Sequence, residues 1–494
     1  MSGLKRSLIS MTVAGILASP AVYATNGMNL EGYGPVATGM GGASMAYENG
    51  SAAVMNNPAT IGLMNDGQSR LEVAIGSLAP DITSSMTGMS DADSSGGPYM
   101  MPAVGWTKRE GKLTYGFGMF AQGGMGTDYA ADSIIAAGTN EAVRSEVGVG
   151  RMLVPLTYEV DSKLTVGGTI DFVWAGMDLK MAMSGAQFMD FMPTTVNPLA
   201  TNAGGTASGT LVSAFAGAVG VGMMNPANPV NTTRFDFSNS SDYTGEASST
   251  GYGAKLGFVY KVNNKLTLGG TYHLETSLGD LKTSNASMTM SANFDDNVLN
   301  QTWNPGVAGV AAGTYTAVPV DVTGRVSVVD FQWPATIGFG GAYQMNDKLL
   351  IAADIKSIRW SDVMDSFRMT FTSDSTQTGL AAGFADVAVD FEMFQKWDDQ
   401  TVINIGASYQ VDSALTVRGG LNLSSNPVPD AYLNPLFPAT IENHLTGGVG
   451  YKIDQAQAVD FSLTYAPEVD ATSGSGVAVS HSQMNWQFMY TNNF

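Results

Sequence analysis

The 494-residue chain has no cysteine. A disulfide framework, a thiol nucleophile and a thiolate metal site are all excluded. Histidine is scarce too: His273, His444 and His481 stand far apart and read as scattered polar residues rather than bases or ligands. No G-x-S-x-G elbow, H-E-x-x-H helix or P-loop occurs, so no residue is assigned to catalysis and no cofactor is implied. Asp91–Gly96 opens like a calcium loop, but the twelfth position is Pro102 where that loop needs glutamate, and no metal site is assigned. Basic residues are few. The net charge of −20 disfavours nucleic acid, whose phosphates attract cationic surfaces. Beyond the N-terminus no apolar run reaches the ~18 residues of a spanning helix, and mean hydropathy is near zero at +0.04.

The first residues have the form of an export signal. Lys5 and Arg6 precede the apolar stretch Leu8–Leu17, and Val22-Tyr23-Ala24 ends on a small residue. Residues 1–24 are expected to be a signal peptide cut near Ala24, and they are set apart from the fold.

What the chain does have is one short turn written repeatedly. YEVDSKLTVGG at Tyr158–Gly168 returns as YKVNNKLTLGG at Tyr260–Gly270, YQMNDKLLIAA at Tyr343–Ala353 and YQVDSALTVRG at Tyr409–Gly419. Weaker copies lie at Tyr451–Phe461 and Thr107–Phe117. Apolar stretch, tight Asp/Asn turn, alternating stretch: this is a β-hairpin pattern. Spacing between copies varies, which excludes a fixed-period solenoid or propeller. One edge of the sheet is tidy and the other elaborated, as in transmembrane barrels with short periplasmic turns and long outer loops.

The alternation has period two. Leu164, Val166, Ile170, Phe172 and Trp174 share one face, and Thr165, Thr169 and Asp171 the other. In lipid the apolar face points outward. Tyr158, Tyr260, Tyr343, Tyr409 and Tyr451 would form an interfacial ring on it. A soluble β-sandwich with buried tyrosines is the competing arrangement, and strands this long and regular weigh against it.

An all-β, fourteen-stranded antiparallel transmembrane barrel is therefore expected, spanning residues 67–494. Its strands include 265–283, 322–345, 348–373 and 383–411. Residues 25–66, rich in Gly, Ala, Met and Asn and broken at Asn57-Pro58, are expected to fill the lumen as a plug. Long outer loops are placed at 182–248 and 284–323. In the first, Phe188 and Phe191 and the helically spaced Leu211, Phe215 and Val219 are candidates for an apolar docking groove. The last strand ends on Phe494 behind Trp486, Phe488 and Tyr490, a form resembling the signal read by the barrel assembly machinery. Outer-membrane lipid and lipopolysaccharide would surround such a body.

MNNPATIGLM, containing Asn57-Pro58-Ala59, resembles the hatch of the FadL family of outer-membrane transporters of long-chain fatty acids and other hydrophobic compounds. Trp333-Pro334 followed by GFGGAYQMNDKLLIAADIKSIRW resembles a hairpin of that family, and Asn426-Pro427-Val428-Pro429 its S-P-V-P element, with asparagine in place of serine. The resemblance spans most of the mature chain. It implies a hatch-filled barrel, entry through a loop groove, a pocket beside the hatch and sideways exit at a kink in the third strand. The kink falls on Ala121 to Gly124, at Gln122, Gly123 and Gly124. No lumenal cation matches a carboxylate holder; Asp171, Lys255, Asp354, Lys356 and Arg418 are predicted only as lumenal charges. Long-chain fatty acids are the first expectation for the ligand, an aromatic or aliphatic hydrocarbon the second. A general aqueous porin, and an adhesin or barrel enzyme built on the loops, are further alternatives.

Overall fold

The computed structural model describes residues 25–241, 244–303 and 313–494. The expected signal peptide lies outside the described residues. Ser69–Ser85 pairs with Tyr99–Glu110 on one side and with the last strand, Ala478–Asn493, on the other. From Tyr99–Glu110 the antiparallel ladder continues through Leu113–Tyr129, Val143–Glu159, Leu164–Ser184, Ala247–Lys261 and Leu266–His273. It goes on through Thr336–Asn346, Leu349–Ile358, Gln400–Gln410, Leu415–Ser424, Asn443–Lys452 and Gln457–Thr472, and so returns to the last strand. The sheet closes on itself as an all-β antiparallel barrel.

In five of its six copies the repeated turn has a single cause. Asp161 Oδ1 accepts the backbone N–H groups of Lys163 and Leu164 at 2.8 and 3.0 Å. Asn263, Asn346, Asp412 and Asp454 each accept the same pair in their own turns. A short side-chain acceptor thus reinforces the backbone bond that closes the turn, Val160 N to Leu164 O at 2.9 Å in the first of them. These donors hold the Asp161 and Asp412 carboxyls below the ordinary carboxylate value of 3.8. A lowered folded-state pKa contributes stability that is present above the unfolded value and lost as pH falls through the folded one. Asp412→Asn, which keeps the acceptor and cannot titrate, should therefore flatten the loss of urea resistance below about pH 4, whereas Asp412→Ala should lower resistance at every pH. A titration of the urea midpoint against pH decides it.

Exposure inverts the usual rule. Ile170, Leu256 and Leu156 are 72%, 60% and 59% exposed, while Thr165, Thr169 and Asp171 opposite them are buried. All five turn-flanking tyrosines are exposed on the same outer face. A continuous greasy exterior of this extent marks a lipid-facing surface.

Residues 25–64 lie within the ring, and none of them is exposed. Their hydrogen bonds reach right round it. Asn57 Nδ2 donates to Phe258 O at 3.0 Å, and Thr157 Oγ1 donates to Pro58 O at 2.9 Å. Ser44 N donates to Asp354 Oδ2 at 2.6 Å, and Thr464 Oγ1 to Glu31 Oε1 at 2.6 Å. The Asn57-Pro58 break has a local explanation. Asn57 is extended, ends the helical turn Ala53–Asn56, and caps the 3₁₀ turn Pro58–Leu63 by accepting from Ala59 N, with proline at the first position, where no N–H is needed. Room for the segment is made in the wall: a Cβ on Gly269 would lie 1.8 Å from Met45 O.

The strands expected at 265–283, 322–345, 348–373 and 383–411 are not continuous. Each breaks where the wall ends, between His273 and Ser277, Val329 and Thr336, Ile358 and Ser366, and Phe394 and Gln400. Pro334 interrupts one break, a helical turn Trp360–Val363 another. Trp333, Trp360 and Trp397 from three breaks meet edge to face, at 5.7 and 5.3 Å between centroids, so burial of large rings pulls the chain out of the ladder. Beyond the breaks, Val230–Phe237, Leu281–Asp295, Tyr315–Val329, Ser366–Ser373, Ala388–Phe394 and Gly205–Ser208 pair into a crown over one end. Much of 284–323 is thus strand, with 304–312 outside the described residues.

Candidate lateral portal and its cavity

The ladder between Tyr99–Glu110 and Leu113–Tyr129 starts at Glu110 opposite Leu113 and stops at Val104 opposite Met119. Above that point each strand pairs only with its outer neighbour: Tyr99 with Leu78, and Phe120 to Tyr129 with the strand Val143–Glu159. The wall is parted between Tyr99–Ala103 and Phe120–Tyr129. On the second lip the register slips between Ala121 and Gly123, so Gln122 is the extra residue of a bulge, the device by which a strand is bent and its pairing ended.

The lumenal segment is fastened to this bulge. Gly124 N donates to Met28 O at 3.0 Å, and Asn29 forms an isolated bridge with Gly123. The approach requires glycine, since a Cβ at 123 would lie 2.0 Å from Met28 O. Gln122 is buried and turned inward. Its Nε2 donates to Asn29 Oδ1 at 2.8 Å and Tyr33 OH at 2.9 Å, and its carbonyl accepts from Tyr33 OH at 2.7 Å. Trp333 Nε1 donates to the same Asn29 oxygen at 2.7 Å. The predicted kink residues Gln122, Gly123 and Gly124 therefore sit together where the inner segment grips the parted wall.

A cavity of about 850 Å³ occupies the gap, within the size range of small-molecule sites. Met101 and Pro102 line it from one lip and Met125 from the other; Val147, Val149 and Trp174 form its side, and Phe120 and His481 are among the inner residues. Among the described residues, no lysine or arginine lines it. Methionines suit such a surface because the thioether is flexible and adapts to varied apolar shapes.

The predicted lumenal charges are committed to structure. Asp171 Oδ2 lies 2.6 Å from Lys255 Nζ and 2.8 Å from Arg151 Nη1, all three buried. Asp354 accepts backbone N–H groups of Ser44 and Met45, Lys356 donates to Gly42 O at 3.1 Å, and Arg418 pairs with Asp460 at 2.7 Å. Asn57, Pro58 and Ala59 do not touch the bulge; they lie against Phe258 and against Thr157, whose strand pairs with the bulged one. In the crown, Phe188, Leu211 and Phe215 are buried, with Phe191 and Val219 half-buried beside them. Phe188 and Phe215 meet at 5.8 Å and Phe191 and Phe391 at 6.0 Å. These side chains turn towards one another.

Residues 11–493 match the family described as outer membrane protein transport protein (OMPP1/FadL/TodX). The chain belongs to that family. Among solved structures of the FadL type it is similar to the toluene transporter TodX of P. putida, at 27% identity over 94% of this chain and 99% of that one, with a TM-score of 0.75. The toluene transporter TbuX of Ralstonia pickettii is 29% identical over 94% and 99%, with a TM-score of 0.69. A FadL homologue of Pseudomonas aeruginosa, 15% identical over 95% and 99%, shares the fold at a TM-score of 0.62. A putative outer membrane protein of Neisseria meningitidis is 24% identical over 221 residues, 44% of this chain and 43% of that protein. An uncharacterised Chlorobium limicola protein is 53% identical over 74 residues, 15% of this chain and 36% of its own length. This chain thus spans less than half the length of either curated relative. Within the FadL-type fold, Met28, Asn29 and Tyr33 went unmarked in the sequence: they carry no motif, and only the bulge they bind gives them a role.

Proposed function

We propose that the chain is a passive outer-membrane channel for neutral hydrophobic molecules, with the fourteen strands of the closed ring crossing the bilayer and residues 25–66 serving as hatch. Ligand enters from the crown, occupies the cavity and leaves sideways into lipid through the gap between Tyr99–Ala103 and Phe120–Tyr129. One observation carries this reading: a largely apolar cavity, with no lysine or arginine among the described residues that line it, sits in a parted stretch of wall. Desolvation supplies the drive, at about 0.8 kcal/mol per methylene taken from water. The names of the toluene transporters it resembles support aromatic hydrocarbons as cargo.

Long-chain fatty acids are the second reading. Arg151 and Lys255 share the single carboxylate of Asp171, so a ligand carboxylate would supply a second acceptor for two basic side chains. Uptake of labelled toluene and labelled oleate by cells with and without the gene separates the two. Loss of toluene uptake alone is expected. Unchanged uptake of both would reject the transport role, and loss of oleate uptake alone would reverse the order of the readings. The hatch also predicts little steady conductance in planar bilayers; an open porin would conduct freely.

A further inference from the structure

The cavity's inner side is bounded by the last strand, where His481 and Gln483 face inward and are 3% and 4% exposed. His481 Nδ1 lies 2.8 Å from the carbonyl oxygen of Pro438. A carbonyl only accepts, so Nδ1 carries the proton, and Nε2 of the neutral ring is left with a lone pair. No group among the described residues hydrogen-bonds Nε2. Two further polar groups at the cavity are already engaged: Thr25 Oγ1 donates to Gly27 O at 2.9 Å, and Glu146 is paired with Arg144. His481 thus brings an unpaired but covered acceptor to the cavity's inner side, and a ligand reaches it by a small displacement of the ring or its neighbours. Glu146 is the one carboxyl side chain among the described lining residues, and no cationic side chain accompanies it there to receive a ligand carboxylate.

We propose that His481 is a specificity-determining residue that accepts a hydrogen bond from a ligand hydroxyl. The channel then prefers apolar molecules bearing one hydroxyl, such as phenols and long alcohols, over hydrocarbons of the same size and over carboxylates. This rests on the uptake reading above and narrows its cargo. A buried polar group rejects the analogue that cannot pair with it.

Binding of p-cresol and p-xylene to the purified full chain tests it, with decan-1-ol and undecane as the aliphatic pair and free ligand measured in the water phase. His481→Asn retains a donor for Pro438 and leaves no acceptor at the Nε2 position. It should weaken p-cresol binding about fivefold, the worth of one neutral hydrogen bond, and leave p-xylene within about twofold. His481→Gln, whose amide reaches the Nε2 position, should restore p-cresol binding. Heat-shifted gel mobility reports whether each variant keeps its barrel. A purely structural role predicts the reverse, with His481→Asn like the native chain and His481→Gln impaired for both ligands. That result, or equal losses for both ligands in His481→Asn, overturns the proposal while leaving the uptake reading intact. Failure of the native chain to bind any of the four would overturn both. A hydroxyl effect confined to one pair tells phenol from alcohol as the preferred class.

Discussion

A bulky methanethiosulfonate reagent attached at position 125 should stop uptake. The native chain has no cysteine, so Met125→Cys gives a single reactive site on one lip of the parted wall, facing the cavity. The adduct would fill the gap that the missing Tyr99–Ala103 pairing leaves. Adding only about 1.4 kcal/mol to the exit barrier lowers a rate tenfold, and a plugged exit should cost roughly that or more. Initial uptake of labelled toluene into cells reads the effect, and dithiothreitol should reverse it. Ile405→Cys serves as control: Ile405 is 43% exposed on the outer face of Gln400–Gln410, a wall strand well away from the portal. Uptake that survives labelling at 125, or falls equally at 405, would rule out the sideways route.

Removing the Asn57 amide should make the barrel leak. Asn57 is fully buried, donates to Met45 O at 2.7 Å and Phe258 O at 3.0 Å, and accepts from Ala59 N at 3.1 Å. It thus ties one part of the inner segment to another and both to the wall. Asn57→Ala leaves buried backbone groups short of partners, at about 1–3 kcal/mol each, a large part of any domain's margin. Asn57→Asp keeps the acceptor and loses both donors, so it should behave like alanine. Steady conductance in planar bilayers and faster proteolysis within residues 25–64 are the expected results. Native-like conductance from both variants would mean that the amide does not hold the hatch.

Much of the wall was legible because its physics is local. Tyr158, Asp161 and the alternation after Leu164 specify a turn and two faces within a dozen positions, and the structure keeps that turn at the five copies with Asp or Asn, while the copy at Thr107–Phe117 turns differently, with Glu110 opposite Leu113. Greasy residues face out, which period-two patterning anticipates once lipid is the solvent. The breaks at 274–276, 330–335, 359–365 and 395–399 were not legible. They depend on Trp333, Trp360 and Trp397 meeting across long separations, and nothing near any one of them announces the others. The crown escaped for the same reason, since Phe188 and Phe191 pack on Phe391 from a strand two hundred residues away. At the portal, glycines 123 and 124 were visible as a weak point in a strand. The partner that makes them necessary, the backbone of Met28, could be found only in three dimensions.

The bonds inside the ring also set an order of assembly. Glu31 is held by Thr464 and Gly32 by Gln487, residues of the two strands that close the ring. The stretch of chain made first therefore completes its set of anchors only when the stretch made last is in position. Until then Met28 and Asn57 have only the earlier strands to hold them, and a chain cut short before Gln457 would leave Glu31 and Gly32 without these partners.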